Sequence, residues 1–201
     1  MTLKLIIFAK NLIEGNVKTR IAKKMGTSKA LEIYKTLLIN TLDLVQSLPV
    51  GIQPVLYFSE KSEEESITGN YKFKVMVQEG KDLGERMFKA FENEFESGFS
   101  KVCLIGTDIY DLDTQIIIQA FENLEKVEVS LGPALDGGYY LIGMKQLYPE
   151  IFIGVNWGQS TVLNETIERI HSRGIGYNLL PVLKDVDEYE DIPQDLLKKL
   201  I

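Results

Sequence analysis

One cysteine, one histidine and one tryptophan are all that the 201 residues contain of those three types. A single Cys103 excludes an intrachain disulfide. It stands in the apolar run Val102-Cys103-Leu104-Ile105 and is expected to be a small buried hydrophobe. A single His171 excludes a His-rich zinc site. A Ser/His/Asp triad could be built only on that residue, and no G-x-S-x-G nucleophile elbow accompanies it. His171 falls near the end of a predicted helix, three residues before Gly174, where a cation suits the helix dipole, and it reads as structural. No apolar run reaches the roughly 18 residues of a membrane span. Met1-Thr2-Leu3-Lys4 leads into a short apolar stretch with no long hydrophobic region or small-residue cleavage site, so no signal peptide is read and the expected compartment is the cytoplasm. Positive charge is also in short supply, with 22 Lys and Arg against 29 Asp and Glu and a net charge of −7. That balance opposes binding to nucleic acid or an anionic membrane, which needs a broad basic surface. A local basic cluster in such a background is therefore informative.

What is present is the composition of a globular protein, 45% hydrophobic and 25% charged, with a length that suits one domain over 1–201. Short apolar runs alternate with segments of helical period. Strands are expected at Leu3 to Phe8, Gln53 to Ser59, Tyr71 to Gln78, Val102 to Gly106, Val127 to Leu131, Tyr139 to Met144 and Tyr177 to Leu183. The third should turn Phe73, Val75 and Val77 to one face. Ser28 can cap a helix whose apolar face is Leu31, Tyr34, Leu38, Leu42 and Val45. Asp82 with Glu85 resembles a capping box before Met87, Phe91 and Phe95, and Asp113 can cap a helix burying Ile116, Ile117, Ala120, Phe121 and Leu124. Ser160 can start a helix that stops at Gly174, and Pro193 can open the last one. The alternation predicts an α/β fold with a mostly parallel sheet covered on both faces. Two successive strands between Glu128 and Gly143 have no helix between them, so part of the sheet should be antiparallel. Sites in such folds lie outside the carboxyl ends of the strands.

Four loops at strand ends are rich in Gly, Asp and Lys. The first runs from Ala9 and Lys10 through Gly15 to Lys18, Thr19 and Arg20. It can wrap a di- or triphosphate, with Arg20 as a two-pronged donor and Lys18 as a point charge, although it is no Walker loop. As surface charges the two cations would be unremarked, and Lys23 and Lys24 read that way. The second, Ile105-Gly106-Thr107-Asp108, puts Asp108 directly after a central strand, where a carboxylate can share a magnesium ion with substrate phosphate. The third contains Asp136-Gly137-Gly138. It fits a plain hairpin turn first, and as the alternative a backbone that approaches a ligand closely with Asp136 on a sugar hydroxyl or the metal. The fourth, Lys184-Asp185-Val186-Asp187-Glu188, reads as a solvated acidic loop or as the source of a further carboxylate for a metal.

Phe8-Ala9-Lys10 with Gly15-Asn16-Val17-Lys18-Thr19-Arg20, Asp82-Leu83-Gly84-Glu85-Arg86-Met87, Ile105-Gly106-Thr107-Asp108 and Gly132-Pro133-Ala134-Leu135-Asp136-Gly137-Gly138-Tyr139-Tyr140 occur in that order. This set resembles the radical-SAM/selenodomain-associated transferase-like family of the nucleotide-diphospho-sugar transferase (GT-A) superfamily, from Leu3 to about Leu197. It is more distantly similar to the guanylyltransferases of molybdenum cofactor and phospholactate. The resemblance implies a three-layer α/β/α sandwich with a mixed sheet. It implies phosphates on the loop of Lys18 and Arg20, with Ala9, Lys10, Gly15 and Thr19 around them. Gly80 to Arg86, including Gly84 and Arg86, would border the nucleobase. Asp108 beside Thr107 would be the first ligand of Mg2+ or Mn2+, Asp187 a possible second, and Asp136, Gly137 and Gly138 would face the substrate. Related sequences usually have Pro where this one has Leu12 and Tyr110, W-S-T in place of Trp157-Gly158-Gln159-Ser160-Thr161, and T-P in place of Glu188-Tyr189.

Three functions follow from these features. In nucleotidyl transfer, a phosphorylated small molecule attacks an NTP and pyrophosphate leaves, with Lys18, Arg20 and a metal on Asp108 neutralising charge. In glycosyl transfer, a nucleotide-sugar is the donor and Asp136 is a candidate base. The third function is nucleotide binding without catalysis, on the same fold.

Overall fold

The computed structural model describes residues 2–61 and 69–200. Its strands are β1 (Leu3–Ala9), β2 (Ile52–Phe58), β3 (Lys74–Val77), β4 (Lys101–Ile105), β5 (Val129–Pro133), β6 (Tyr139–Met144) and β7 (Tyr177–Leu179). Its helices are α1 (Thr19–Met25), α2 (Thr27–Gln46), α3 (Leu83–Glu96), α4 (Thr114–Asn123), α5 (Val162–Ser172) and α6 (Gln194–Leu200), with short 3-10 turns at Pro149–Ile151 and Tyr189–Asp191. The strands form one sheet in the order β3-β2-β1-β4-β6-β5-β7. All neighbours pair in parallel except β6, which runs antiparallel to β4 and to β5.

Strand β1 explains the layering. Successive side chains of a strand point to opposite faces. Leu5 and Ile7 join a core with Leu38 and Leu42 of α2 and Ile117 and Phe121 of α4. Ile6 and Phe8 join a second core with Met87 and Phe91 of α3 and Ile170 of α5. An unbroken apolar run is what a strand covered on both sides requires. The result is the expected α/β/α sandwich on a mostly parallel mixed sheet.

Local signals held where a side chain supplied the missing hydrogen bond. Asp82 accepts from the Glu85 amide at 2.8 Å, and Asp113 from the Ile116 amide at 2.8 Å, as expected of helix caps. Glu85 turns back to the Lys81 amide instead of that of Asp82, so the box is half closed. Three expectations are corrected. Ser28 is not a cap, because it lies inside α2, whose N-cap position is Gly26 at φ +86° with no side-chain cap. Ser160 does not start α5, which begins after Thr161. The third strand begins at Lys74, later than the expected Tyr71, and its Val75 and Val77 are 44% and 38% exposed. They lie on the edge strand, paired on one side only. The last strand is also shorter than expected, although Leu183 continues its line through a bridge to Ala134.

Helix α1 was hidden in what reads as loop. It buries Ile21 against Ile33, Leu37, Val186 and Ile192. This small third core ties the chain after β1 to the segment after β7. Cys103 is fully buried, and that burial pushes its thiol well above the ordinary range. No helix among the described residues is long and apolar enough to cross a membrane.

Candidate active site

All four polar loops reach the same rim of the sheet. The loops after β1 and β4 leave from neighbouring carboxyl ends, since Ala9 and Ile105 close adjacent parallel strands. Strand β6 runs the other way, so its first residues stand at this rim, where the Gly106 amide donates to the Tyr140 carbonyl at 3.2 Å. The turn before β6 therefore lies beside Asp108. The acidic segment after β7 returns here as well: Asp185 bridges Ile109, and the Val186 amide donates to the Asp108 carbonyl at 2.9 Å.

Lys18 is the centre of the arrangement. The loop before it turns at Gly15, at φ +87°, with the Asn16 amide on the Ile13 carbonyl. Val17 then plugs into the interior at 1% exposure. Lys18 sits between that plug and the first turn of α1, and it adopts φ +47°, alone among the described residues other than glycine in the left-handed region. Such a conformation costs a non-glycine residue about 1–3 kcal/mol and persists only where the surroundings enforce it. Here its ammonium reaches Asp108 Oδ1 at 2.6 Å and Asp187 Oδ1 at 3.1 Å. The lysine side chain is 4% exposed, while those of the two aspartates are 44% and 40% exposed. The buried Asp108 Oδ1 receives this charge contact but no well-aligned hydrogen bond. Arg20 approaches Asp187 Oδ2 at 3.6 Å.

A cavity of about 180 Å³ opens beside these groups, lined by Lys10, Lys18, Thr19, Arg20, Asp108 and Asp187 among others. Its floor is fixed by Tyr34. That hydroxyl accepts from the Lys10 amide at 2.6 Å, donates to the Lys10 carbonyl at 3.1 Å, and stands 3.3 Å from the buried Thr107 hydroxyl. The Ala9 carbonyl is occupied by the Ser59 amide and the Gln78 side chain, so Ala9 shapes the rim through its backbone.

The remaining expected residues lie outside the lining of this cavity. Asp136 accepts from the Gly138 amide at 2.8 Å, which closes the tight turn of a β5–β6 hairpin. Gly137, at φ +91°, lies so close to Ser160 that an added Cβ would stand 2.0 Å from its carbonyl oxygen. Gly84 packs under Trp157, where a Cβ would meet the indole nitrogen at 2.2 Å. Arg86 Nε donates to the Gly80 carbonyl at 3.1 Å and so holds the loop before α3. Ala9, Gly15, Gly84, Arg86, Thr107, Asp136, Gly137 and Gly138 do not line the cavity of Lys18. A second, more open hollow of about 570 Å³ lies by the start of α3, lined by Asp82, Val155, Asn156, Trp157, Gln159 and Thr161.

Two residues matter here that the sequence marks only as one acid of a loop, Asp185, and as part of an apolar helix face, Tyr34. Asp185 is raised to about 6, first by burial and then by the carboxylates of Asp136 and Asp187, with Lys18 opposing. Its signal was the alternation Asp185-Val186-Asp187, in which the middle residue is buried, so that the two acids share a side. Tyr34 gave no such signal, because its spacing marks it only as part of the apolar face of α2.

The donor set is one of carboxylate oxygens, which suits a hard cation of the magnesium or manganese kind. Among the described residues no three Asp, Glu, His or Cys side chains are grouped closely enough to hold a metal alone. Asp108 and Asp187, both within reach of one ammonium, fit a two-carboxylate site that substrate oxygens and water complete.

No curated protein matches the sequence. Among solved structures, a candidate nucleotide-diphospho-sugar transferase from Desulfovibrio desulfuricans G20 is 30% identical with a TM-score of 0.87, over 94% of this chain and 84% of that one. The inositol-1-phosphate CTP transferase from T. maritima is 12% identical with a TM-score of 0.63, over 99% and 95%. Glucosyl-3-phosphoglycerate synthase from Mycobacterium tuberculosis, in complex with Mn2+, UDP and glucosyl-3-phosphoglycerate, is 10% identical with a TM-score of 0.60, over 99% and 75%. The last two likenesses establish the fold. Residues 41–159 match the family described as an uncharacterized protein conserved in bacteria (DUF2064). With more than half its length matched, this chain belongs to that family.

Proposed function

We propose that this chain is a metal-dependent, nucleotide-binding transferase that moves a nucleotidyl group from an NTP to a phosphorylated small molecule. The observation that carries the reading is the single cavity in which Lys10, Lys18 and Arg20 face Asp108 and Asp187. Cations there suit a polyphosphate, and two carboxylates suit the ion that accompanies it. In the reaction, an ionised phosphate oxygen of the acceptor attacks the α-phosphorus, the bond to the bridging oxygen of the β-phosphate breaks, and pyrophosphate leaves. That nucleophile is already deprotonated, so no general base is needed, and catalysis consists of alignment and charge neutralisation.

The residues divide this work. Arg20, with its exposed guanidinium, is placed to fork onto phosphate oxygens. Thr19 and Lys10 border the same space. Asp108 and Asp187 would hold Mg2+ or Mn2+, which neutralises the charge developing on the leaving pyrophosphate when bound. Lys18 serves two states: it neutralises Asp108 and Asp187 in the free protein and turns to phosphate when those carboxylates are taken. Ala9, Gly15 and Thr107 shape the rim, Gly84 and Arg86 the border on the nucleobase side. Asp136, Gly137 and Gly138 form the turn towards the acceptor. The same reading assigns the chain to the radical-SAM/selenodomain-associated subfamily, treats 1–201 as one catalytic domain, and puts it in the cytoplasm, where its nucleotide substrates are made.

A nucleotide-sugar donor is the second reading, favoured by one observation. The Asp136 carboxylate is fixed by its own turn and close enough to Asp185 to raise that group, so a carboxylate stands ready at the acceptor side to take a hydroxyl proton. Thermal stabilisation against NTPs and nucleotide-sugars, each with and without Mg2+ or Mn2+, separates the two. A ligand at about 100 times its Kd adds roughly 2.7 kcal/mol. Selective stabilisation by one NTP with metal is the expected result. Selective stabilisation by a nucleotide-sugar establishes the second reading, and no stabilisation by any member refutes both in favour of a protein without this chemistry.

A further inference from the structure

The two sides of the charged cavity hang from neighbouring strands that diverge at the rim. Strands β1 and β4 pair in register as far as Ile7 and Ile105. Beyond that point their loops lean apart. The first loop is tied to the β2 side: the Ser59 amide donates to the Ala9 carbonyl at 3.0 Å, and the Ser59 hydroxyl and Glu60 amide each donate to the Asn11 side chain at 2.8 Å. The loop of Asp108 is tied to the other side, through the Gly106 amide on the Tyr140 carbonyl and the Val186 amide on the Asp108 carbonyl. The cations of the first loop and the carboxylate of the second therefore face each other across a split in the rim.

Among the described residues, the Lys18 ammonium and the Tyr34 hydroxyl both span that split. Lys18 does so through charge, on carboxylates that a metal would take from it. Tyr34 does so without charge, from the second turn of α2, where it is 2% exposed. Its oxygen accepts from the Lys10 amide at 2.6 Å, donates to the Lys10 carbonyl at 3.1 Å and stands 3.3 Å from the hydroxyl of Thr107, the residue before Asp108. A phenol has one hydrogen to give and lone pairs to receive. With its hydrogen on the Lys10 carbonyl, it takes the Lys10 amide and the Thr107 hydroxyl as donors. Thr107 is 3% exposed, and a buried hydroxyl that loses its partner is costly, so this arm holds. We propose that Tyr34 is a positioning residue: it keeps the phosphate loop and the Asp108 arm at a fixed separation, so that phosphate and metal bind as one unit.

The separation matters most when Lys18 changes partners. This role rests on the transferase reading, in which Lys18 leaves Asp108 and Asp187 for phosphate. The charged tie across the split is then gone, and the neutral one remains. Its anchor is firm, because α2 runs for 20 residues and buries Ile33, Leu37 and Leu38 beside Tyr34. An ion of the magnesium kind accepts little distortion of its coordination shell. Asp108 can therefore share such an ion with a phosphate on the first loop only where the two loops are held in one arrangement. Tyr34 supplies that arrangement through the Lys10 peptide and Thr107.

The experiment measures binding of inorganic triphosphate to the full chain by isothermal titration calorimetry, once in magnesium buffer and once with a chelator. The ratio of the two dissociation constants is the coupling between phosphate and metal. In the parent, magnesium should tighten binding by about tenfold or more. In Tyr34→Phe, which keeps the buried ring, binding with chelator should weaken by no more than about threefold, while the gain from magnesium shrinks to about twofold. Thr107→Val removes only the second arm and should shrink the gain in the same direction; it decides the matter if Tyr34→Phe does not fold. A tyrosine with a merely structural role would weaken both titrations by one factor and leave their ratio at the parent's value, and that result would overturn the proposal. A parent that gains nothing from magnesium would instead refute the two-carboxylate reading of the cavity, and the role of Tyr34 with it.

Discussion

Two of the lysines buried in ion pairs, Lys4 and Lys18, are built differently. Lys4, at the start of β1, meets Glu94 of α3 at 3.4 Å, and both side chains are under 10% exposed. Tyr57 donates to the same glutamate at 2.8 Å, and the Lys4 ammonium lies 4.6 Å from the centre of the Phe99 ring. Every side of that charge is covered. Lys18 is as deeply buried, but its two partners are nearly half exposed and border a cavity. Burial by itself therefore does not mark a functional lysine. Nor does an open partner by itself, since buried Lys101 pairs with Glu125, 56% exposed; what sets Lys18 apart is that its two open partners line a cavity with it. The backbone agrees, since Lys4 lies in a regular strand and Lys18 in the left-handed region.

The comparison can be broken most severely at Lys4. Lys4→Met should destabilise the protein by about 3–5 kcal/mol, because Glu94 loses its counter-charge in the interior and keeps only the Tyr57 hydroxyl. Chemical denaturation measures it, and a loss below 1 kcal/mol would mean that Lys4 is no strut. At the other lysine, Lys18→Ala should change unliganded stability by about 1 kcal/mol or less, since Asp108 and Asp187 can turn to solvent. It should nevertheless abolish the roughly 2.7 kcal/mol stabilisation by saturating nucleotide with metal. Retention of that stabilisation would remove Lys18 from the site. Asp108→Ala should likewise lose the metal-dependent part of nucleotide binding while keeping the fold, as read by circular dichroism beside thermal shift.

The smallest expected effect concerns Asp185 in metal-free buffer. Its carboxyl is raised to about 6 from 3.8, so the folded state holds the proton more tightly than the unfolded chain. The stability that this provides is fully present below about pH 4 and is lost as pH climbs through 6. Two units would correspond to about 3 kcal/mol; for a half-exposed group solvent screening reduces this to about 1 kcal/mol. Asp185→Asn should match the parent near pH 4 and exceed it by that amount at pH 7, measured by urea denaturation with a chelator. A constant difference across the range would show that Asp185 is not strained by its neighbours.

Much of the architecture was legible because the signals were local. The apolar run of β1, the caps at Asp82 and Asp113 and the helix face of α4 each specify their own backbone. Signals misled where a neighbour was missing or distant. Val75 and Val77 alternate like core residues, yet their strand lies at the sheet edge. Helix α1 is only 7 residues long and takes its stability from contacts with Val186 and Ile192, far along the chain.

Sequence alone determined which groups were available: one cysteine and one histidine, three cations in the first loop, and acids after β4 and β7. It also determined the period of each element, since side-chain direction follows the local backbone. Tertiary structure decided who meets whom. The reversal of β6 brought the Asp136 turn to the rim of Asp108, and the return after β7 set Asp187 against Lys18 across 169 positions. Charge interactions depend on distance through space and on cover from solvent, and the folded chain alone fixes both.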